Sequence, residues 1–496
     1  MNEQDRYYSL HQALTEQARN IPRALAIAAP GRPPMDYVQL FGQIESMART
    51  LGSMGVQRND RVAVILPTSA EMAVAFLAVS CCATAAPLNP AYQEAELDFY
   101  LADLNARALV VMAGLDTSAL QVARRLGIPI LEVAVDLTAP AGTLLPDSEP
   151  ADSATTCCHS EADDIALVLH TSGTTARPKM VPLTHSNVCA SAYNIQAALQ
   201  LTERDRCLNF MPLYHTMGLM SVTTSLVIGS SAVCTGGFDP DFFFRWVDEF
   251  RPTWYTAAPT LHQAILGIAP GHQEILRRAA LRFVRSSAAP LPAVLMTRLE
   301  EVLGVPVLEG YGMTETALQA TSNPLPPGIR KPGSVGVQSG VEVAIMDELG
   351  TKLPSGEVGE IVFRGPNVTN GYLNNPEANQ QAFFDGWLRS GDQGFFDADG
   401  YLFIQSRLKE IINRGGQKIS PREVEETILD HPAVDQVAVF AVPHASLGEA
   451  VAAAIVLNAG HQPTQREIRA FAAERLAPFK VPQQLVFVDA IPRGAT

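Results

Sequence analysis

The chain has 496 residues, of which 47% are hydrophobic and 18% charged, with a formal net charge of −15. That length suggests two or three packed units, and the composition is that of a globular protein with a large core. The acidic balance excludes a general nucleic-acid or anionic-membrane binder, because both need a basic surface.

Taken in order, Met1 to Tyr8 is polar and carries no signal-peptide core. Arg61 to Pro67 predicts a buried strand and Ala70 to Ala83 a helix. The uncharged run from Met72 to Leu88 is short for a membrane span and holds Pro87, so it reads as a buried helix leading into a strand. Strands at 108–112 and 128–133 flank a helix at 119–126. This alternation predicts an α/β layered domain with a mainly parallel sheet. Residues 136–163, rich in Pro, Ser, Thr, Ala and Asp, read as a surface connection. The alternation resumes with strands at 207–211, 232–235, 253–257, 281–287 and 305–308, and a helix at 242–250. Beyond about Val341, short runs at 341–346, 360–364 and 401–405 between Gly and Pro turns predict an antiparallel, barrel-like part. A helix at 421–429, strands at 437–442 and 451–457, a helix at 465–475 and a strand centred on Phe487 predict a small α+β tail.

The seven cysteines (Cys81, Cys82, Cys157, Cys158, Cys189, Cys207 and Cys234) show no Cys-x-x-Cys spacing. Neither a zinc site nor a redox pair is indicated, and a reducing cytoplasm is the simplest fit.

Six stretches carry chemistry. Thr171-Ser172-Gly173-Thr174-Thr175-Ala176-Arg177-Pro178-Lys179 follows the strand-like Ile165 to Leu169 and precedes a helix-like segment opening near Thr184. Hydroxyls and glycine let backbone N–H groups face an anion, and the lysine adds a mobile charge. The reading is a phosphate-gripping loop; the plainer alternative is a Ser/Thr-rich turn. It is not a Walker A loop, since Pro178 precedes the lysine. Pro212-Leu213-Tyr214-His215 places an imidazole after a strand, able to orient a carboxylate or simply to sit in the core. Arg285-Ser286-Ser287-Ala288-Ala289-Pro290-Leu291 is a strand end and proline turn. In Glu309-Gly310-Tyr311-Gly312-Met313-Thr314-Glu315-Thr316 the glycines admit a flat ligand, Tyr311 offers a stacking ring, Thr314 a hydroxyl and Glu315 a hard oxygen for Mg²⁺. The alternative is a capped glycine turn. Ser390-Gly391-Asp392 sets a carboxylate in a turn, and Ser406 to Pro421 is dense in charge and glycine.

As an ordered set these stretches resemble the motifs of the adenylate-forming enzymes: acyl-CoA synthetases, luciferases and adenylation domains of peptide synthetases. The likeness runs from about Tyr7 to Thr496. It implies a large multi-layered α/β domain with a small β-barrel part over residues 1–406, and a small mobile α+β domain over 407–496. It implies ATP and Mg²⁺ as cofactors and CoA as co-substrate. ATP or AMP would be held by Thr171, Ser172, Gly173, Thr174, Thr175, Lys179, Ser287, Ala288, Glu309, Gly310, Tyr311, Gly312, Thr314, Asp392 on the ribose, and Arg407. Glu315 would ligate the metal. His215, Thr314 and Glu315 would be catalytic, with Lys409 as the hinge. Tyr214, His215, Met217, Gly218, Met313 and Leu318 would line the acyl pocket, and Gly415 and Gly416 the thiol channel. The departures are Ala176 and Met180 at two usual glycines of the phosphate loop, where Met180 is expected to add bulk, Ser287 at the glycine of the proline turn, where its hydroxymethyl is expected to narrow the acyl pocket, and Ser406 at another glycine.

The resemblance also places a catalytic lysine after a Pro-x-x-x-x-Gly run, which this sequence reaches at its last residues, Ile491 to Thr496. Lys480 comes too early, in a structural turn. No lysine is therefore named for adenylation: either the natural chain continues or it was cut here, and if it was cut the first half-reaction is expected to be severely slowed. The segment Ser322-Asn323-Pro324-Leu325-Pro326, then Lys331 to Gly336, is similar to the branch containing oxalate- and medium-chain acyl-CoA synthetases. Leu318 stands where oxalate-activating members carry a histidine. With Met217, Leu219 and Met313, it leads to an expected aliphatic or aromatic monocarboxylate. The expected function is a cytoplasmic, AMP-forming acyl-CoA ligase. The alternatives are an adenylation enzyme loading an acyl carrier protein, and a non-catalytic nucleotide-binding relative.

Overall fold

The structure, a computed structural model, describes residues 8–115, 117–147, 159–171, 178–444 and 446–491. The chain divides into two compact units. The first runs through residue 342 and takes in 363–386; the second holds 343–362 and the chain from 387 onward.

The first unit is built on two sheets. In one, strands Arg61–Ile65, Thr84–Pro87 and Ala108–Met112 pair in parallel. The other runs through Val307–Tyr311, Val284–Ser286, Trp254–Ala257, Arg206–Asn209 and Ser231–Cys234, also in parallel. Near-continuous apolar strands of this kind are buried on both faces, as parallel sheets require. The helix Ala70–Ser80 explains the uncharged run: every one of its residues is buried, and it touches Thr84–Pro87 of one sheet and Ser231–Cys234 of the other. A helix apolar on all sides belongs between layers. No described helix is long and apolar enough to cross a membrane.

Two features differ from the sequence reading. Between the phosphate-loop strand Ile165–Thr171 and the helix, which opens where the sequence reading placed it, lies an element that the reading did not name. Lys179–Thr184 is itself a strand, paired antiparallel with it so that Thr171 faces Lys179. Helix His185–Leu199 follows only then, with Thr184 closing a capping box with Asn187. And Phe487 is the last residue of its strand, Gln484–Phe487, not the middle. The missed helices, among them Glu94–Leu104, Thr216–Val227 and Ala293–Leu303, connect parallel strands, a connection that favours a helical crossover.

In the second unit, Glu342–Met346, Gly359–Arg364 and Trp387–Phe396 lie side by side, with Leu402–Arg407 on the last. A separate sheet of Gln417–Ile419, Ile412–Arg414, Gly448–Leu457, Val434–His444 and Gln484–Phe487 carries the helices Pro421–Leu429 and Gln465–Ala473. Its core joins Ile412, Ile419, Val424, Ile428, Val451, Ile455, Ile468 and Leu485. Lys480 is tied to Glu423 at 2.5 and 2.7 Å, which fits its reading as a structural residue.

Candidate active site

Ser172, Gly173, Thr174 and Thr175, with Ala176 and Arg177, lie outside the described residues. The two ends of their loop are fixed. Thr171 ends one strand with its Oγ1 buried and without a hydrogen-bond partner. Lys179 begins the return strand, and its ammonium stands over the ring of Tyr372, 4.6 Å from the centroid. Met180, expected to add bulk to the loop, is 2% exposed and packs with Val168, Leu97 and Leu101. Strand alternation turns it into the core while Lys179 faces away.

Tyr372 was not foreseen. Its hydroxyl donates to Glu315 Oε1 at 2.8 Å, so one phenol links the loop lysine to the expected metal ligand. Burial first, and then the Glu315 carboxylate, push the phenol's pKa far up, so it stays a donor. Nothing in the sequence around Gly371-Tyr372 carried a signal, because the partnership joins residues 57 apart. Glu315 is 4% exposed, in the short 3₁₀ turn Thr314–Thr316, and its carbonyl accepts from Thr369 N–H at 2.8 Å.

The Glu309 to Glu315 stretch begins as strand Val307–Tyr311. Glu309 is 1% exposed, and its Oε1 accepts from Leu291 N–H at 2.9 Å, tying this strand to the proline turn after Ala288. Ala288 adopts φ +71°, a left-handed conformation that costs an alanine about 1–2 kcal/mol. Ser287, 3% exposed, sits just before it. Gly312 is required by space: a Cβ there would lie 2.2 Å from the Leu318 carbonyl oxygen. Met313 and Leu318 flank that contact, with Leu318 6% exposed at φ +92°.

His215 is the residue before helix Thr216–Val227, and its ring meets that of Tyr214 at 4.7 Å. Burial lowers its pKa, so the imidazole is neutral at pH 7. Met217 is 4% exposed. Gly218 lets the helix approach the preceding turn, since a Cβ would stand 2.3 Å from the Pro212 carbonyl oxygen.

In the second unit, Asp392 and Arg407 are cross-strand partners, Arg407 Nε lying 3.4 Å from Asp392 Oδ1. Asp392 is 8% exposed, and its N–H donates to Ser390 Oγ at 2.9 Å. Lys409 is exposed in the turn Leu408–Glu410, directly after the Arg407 strand. Gly415 and Gly416 form the two-residue loop of a hairpin, with φ +58° and +86°. Such a loop demands left-handed residues at both places. Gly415 N–H also donates to the Leu447 carbonyl at 2.8 Å.

Comparisons with known proteins fit this geometry. Residues 14–373 match the family model described as AMP-binding enzyme, and residues 423–496 the model of the AMP-binding enzyme C-terminal domain. An oxalate–CoA ligase of Arabidopsis thaliana is 41% identical over 490 residues, covering 97% of this chain and 95% of the relative. A sulfoacetate–CoA ligase of Cupriavidus necator is 36% identical over 93% of this chain and 91% of its own length. Among solved structures, ATP-bound MatB from Rhodopseudomonas palustris superposes with a TM-score of 0.90 at 31% identity, covering 98% of this chain and 96% of that one.

Proposed function

The chain belongs to the AMP-binding enzyme family, and on that premise we propose how its residues divide the work of an AMP-forming acid–CoA ligase. The activity is ATP-dependent joining of a carboxylic acid to CoA. The carboxylate attacks the α-phosphate of ATP, pyrophosphate leaves, and the CoA thiol displaces AMP from the acyl-adenylate.

The observation that carries the residue assignment is the Lys179–Tyr372–Glu315 chain. Lys179, with the loop from Thr171, neutralises the phosphates. Glu315 suits Mg²⁺: it is a buried carboxylate, a hard oxygen donor, and Tyr372 holds it through one oxygen. The metal would supply charge neutralisation on the phosphate oxygens. Thr314 stands beside it as a hydroxyl donor. Tyr311, Gly310, Gly312, Glu309, Ser287 and Ala288 form the adenine end. Asp392, steadied by Arg407, accepts the ribose hydroxyls. Neutral His215 donates to the incoming carboxylate, while Tyr214, Met217, Gly218, Met313 and Leu318 shape the acyl pocket. Residues 407–496 turn as a unit about Lys409 between the two steps, bringing Gly415 and Gly416 to the thiol. A cytoplasmic site of action is supported by the cysteines: five are described, all buried and free.

The test is incubation of the protein with Mg·ATP, CoA and a panel of acids, sampled over time so that a slow first half-reaction still registers, read by mass spectrometry. Acyl-CoA and AMP in equal amounts are expected. AMP and acyl-CoA absent with every acid would overturn the reading.

A further inference from the structure

Arg285 has no role in the assignment above, yet it is the most unusual charge in the described structure. It lies on strand Val284–Ser286 at 1% exposure, among the largest fully buried side chains. Among the described residues no ion pair or side-chain hydrogen bond holds it, and its Nε and Nη2 are buried without partners. A guanidinium in a protein interior costs several kcal/mol unless an anion meets it. Burial lowers its pKa only to about 10, so it remains a cation at pH 7. The neighbouring His262 cannot offset it: its ring meets the Arg285 carbonyl at 3.2 Å, and burial keeps it neutral.

Its position points to a ligand. Strands Trp254–Ala257, Val284–Ser286 and Val307–Tyr311 are parallel neighbours, with Thr256, Arg285 and Leu308 in register. Ligands of open parallel sheets sit beyond the carboxyl ends of the strands. Arg285 is one residue from the end of its strand and lies beside Gly310, where the next strand enters the Gly310-Tyr311-Gly312 stretch. A Cβ at Gly310 would stand 3.1 Å from Nη2 and 3.3 Å from Nε, so the missing side chain makes the room that the guanidinium fills. The two unpartnered nitrogens are the pair that grips one carboxylate side-on through two parallel hydrogen bonds. Thr256 Oγ1, on the adjoining strand, and Ser286 Oγ, on the same strand, are also buried without partners.

We infer that Arg285 is a specificity-determining residue for an acid carrying a second anionic group, a short dicarboxylate or a sulfonated carboxylate, whose far end it binds while the near carboxylate is activated. This rests on the ligase reading above. It differs from the monocarboxylate expected from the apolar residues at 217, 313 and 318. Those residues describe walls, whereas an unpaired buried cation describes what the pocket must hold.

The experiment compares each diacid with its isopropyl isostere in the ligation assay: oxalate with isobutyrate, and malonate with isovalerate. The diacid of at least one pair is expected to be the better substrate. Arg285→Met, close in volume but uncharged, should lower the diacid-to-isostere ratio of kcat/KM about 100-fold or more, because a site built for a polar group discriminates strongly. Arg285→Lys should retain part of the ratio. Gly310→Ala leaves the arginine in place but crowds it, and should shift the ratio in the same direction even if Arg285→Met does not fold. Titration calorimetry of oxalate and malonate against the nucleotide-free protein runs alongside. Diacid binding that is lost in Arg285→Met, with no ligation of any acid, would uphold this site while the ligase reading falls. Preference for the isosteres in both pairs, or an unchanged ratio in the folded variants, would overturn the inference.

Discussion

At the scale of single residues, the arrangement around Glu315 turns on one phenol. Tyr372 donates a hydrogen bond to the carboxylate and offers its ring face to Lys179. A cation over an aromatic face gains about 0.5–2 kcal/mol, and a hydrogen bond to a charged acceptor about 1.5–3 kcal/mol. Tyr372→Phe removes only the second. It should lower kcat/KM for ATP-pyrophosphate exchange by about 10- to 100-fold. Tyr372→Leu removes both and should raise the KM for ATP further. Equal exchange rates in wild type and Tyr372→Phe would show that Glu315 needs no such support. Residues of this kind were invisible in the sequence. Glu315, Lys179 and Asp392 sit in stretches whose chemistry declares itself locally, a carboxylate between glycines or a lysine after hydroxyls. Tyr372 and Arg285 matter because of what distant strands place beside them.

Among elements, alternation of apolar runs was enough to find most strands, since a buried parallel strand is short, β-branched and flanked by turns. Helices such as Ala293–Leu303, with a partly polar face and no sharp N-cap signal, were harder to see. The strand Lys179–Thr184 was missed for a different reason: its Pro182 argues against a strand, yet Pro182 stands on an edge strand, whose neighbour is Ile165–Thr171 alone. The consequence is functional. The strands on either side of the phosphate loop pair antiparallel, so Lys179 is held by ladder hydrogen bonds rather than by a helix N-terminus. The Gly415–Gly416 hairpin is the matching case in the second unit. Gly416→Val forces a β-branched side chain into φ +86° and should destabilise that unit by about 1–2 kcal/mol. Stopped-flow assays should show the thioester step slowed more than pyrophosphate exchange. Equal slowing of both steps would remove the loop from the thiol channel.

For the whole molecule, stability is tied to pH through histidines sealed in the first unit. His185 is the first residue of its helix, where its Nδ1 accepts from Leu10 N–H at 3.2 Å, and His262 lies beneath strand Val284–Ser286. Both show 0% exposure. Burial, partly opposed by Asp164 at His185 and by backbone acceptors at His262, lowers each pKa from 6.5 to about 4. The sign follows from which state takes the proton first. Between pH 6.5 and 4 the unfolded chain binds a proton at each histidine and the folded chain does not, so unfolding is favoured as pH falls. The stability contributed by the neutral rings is complete above pH 6.5, drains through that window, and is gone below about pH 4. The slope is about 1.4 kcal/mol per pH unit for each histidine, or about 3 kcal/mol each across the window. Urea unfolding of the full chain at pH 7, 6, 5 and 4.5 should show the midpoint dropping steeply. Carboxylates contribute to the same fall only at the acid end, so the comparison with a variant separates them. His262→Gln cannot ionise; it should be less stable than wild type at pH 7 yet lose stability more slowly on acidification, the two curves converging toward pH 4. Parallel curves over the whole range would mean that His262 takes up its proton in the folded protein as readily as in the unfolded chain, and that burial does not hold it neutral.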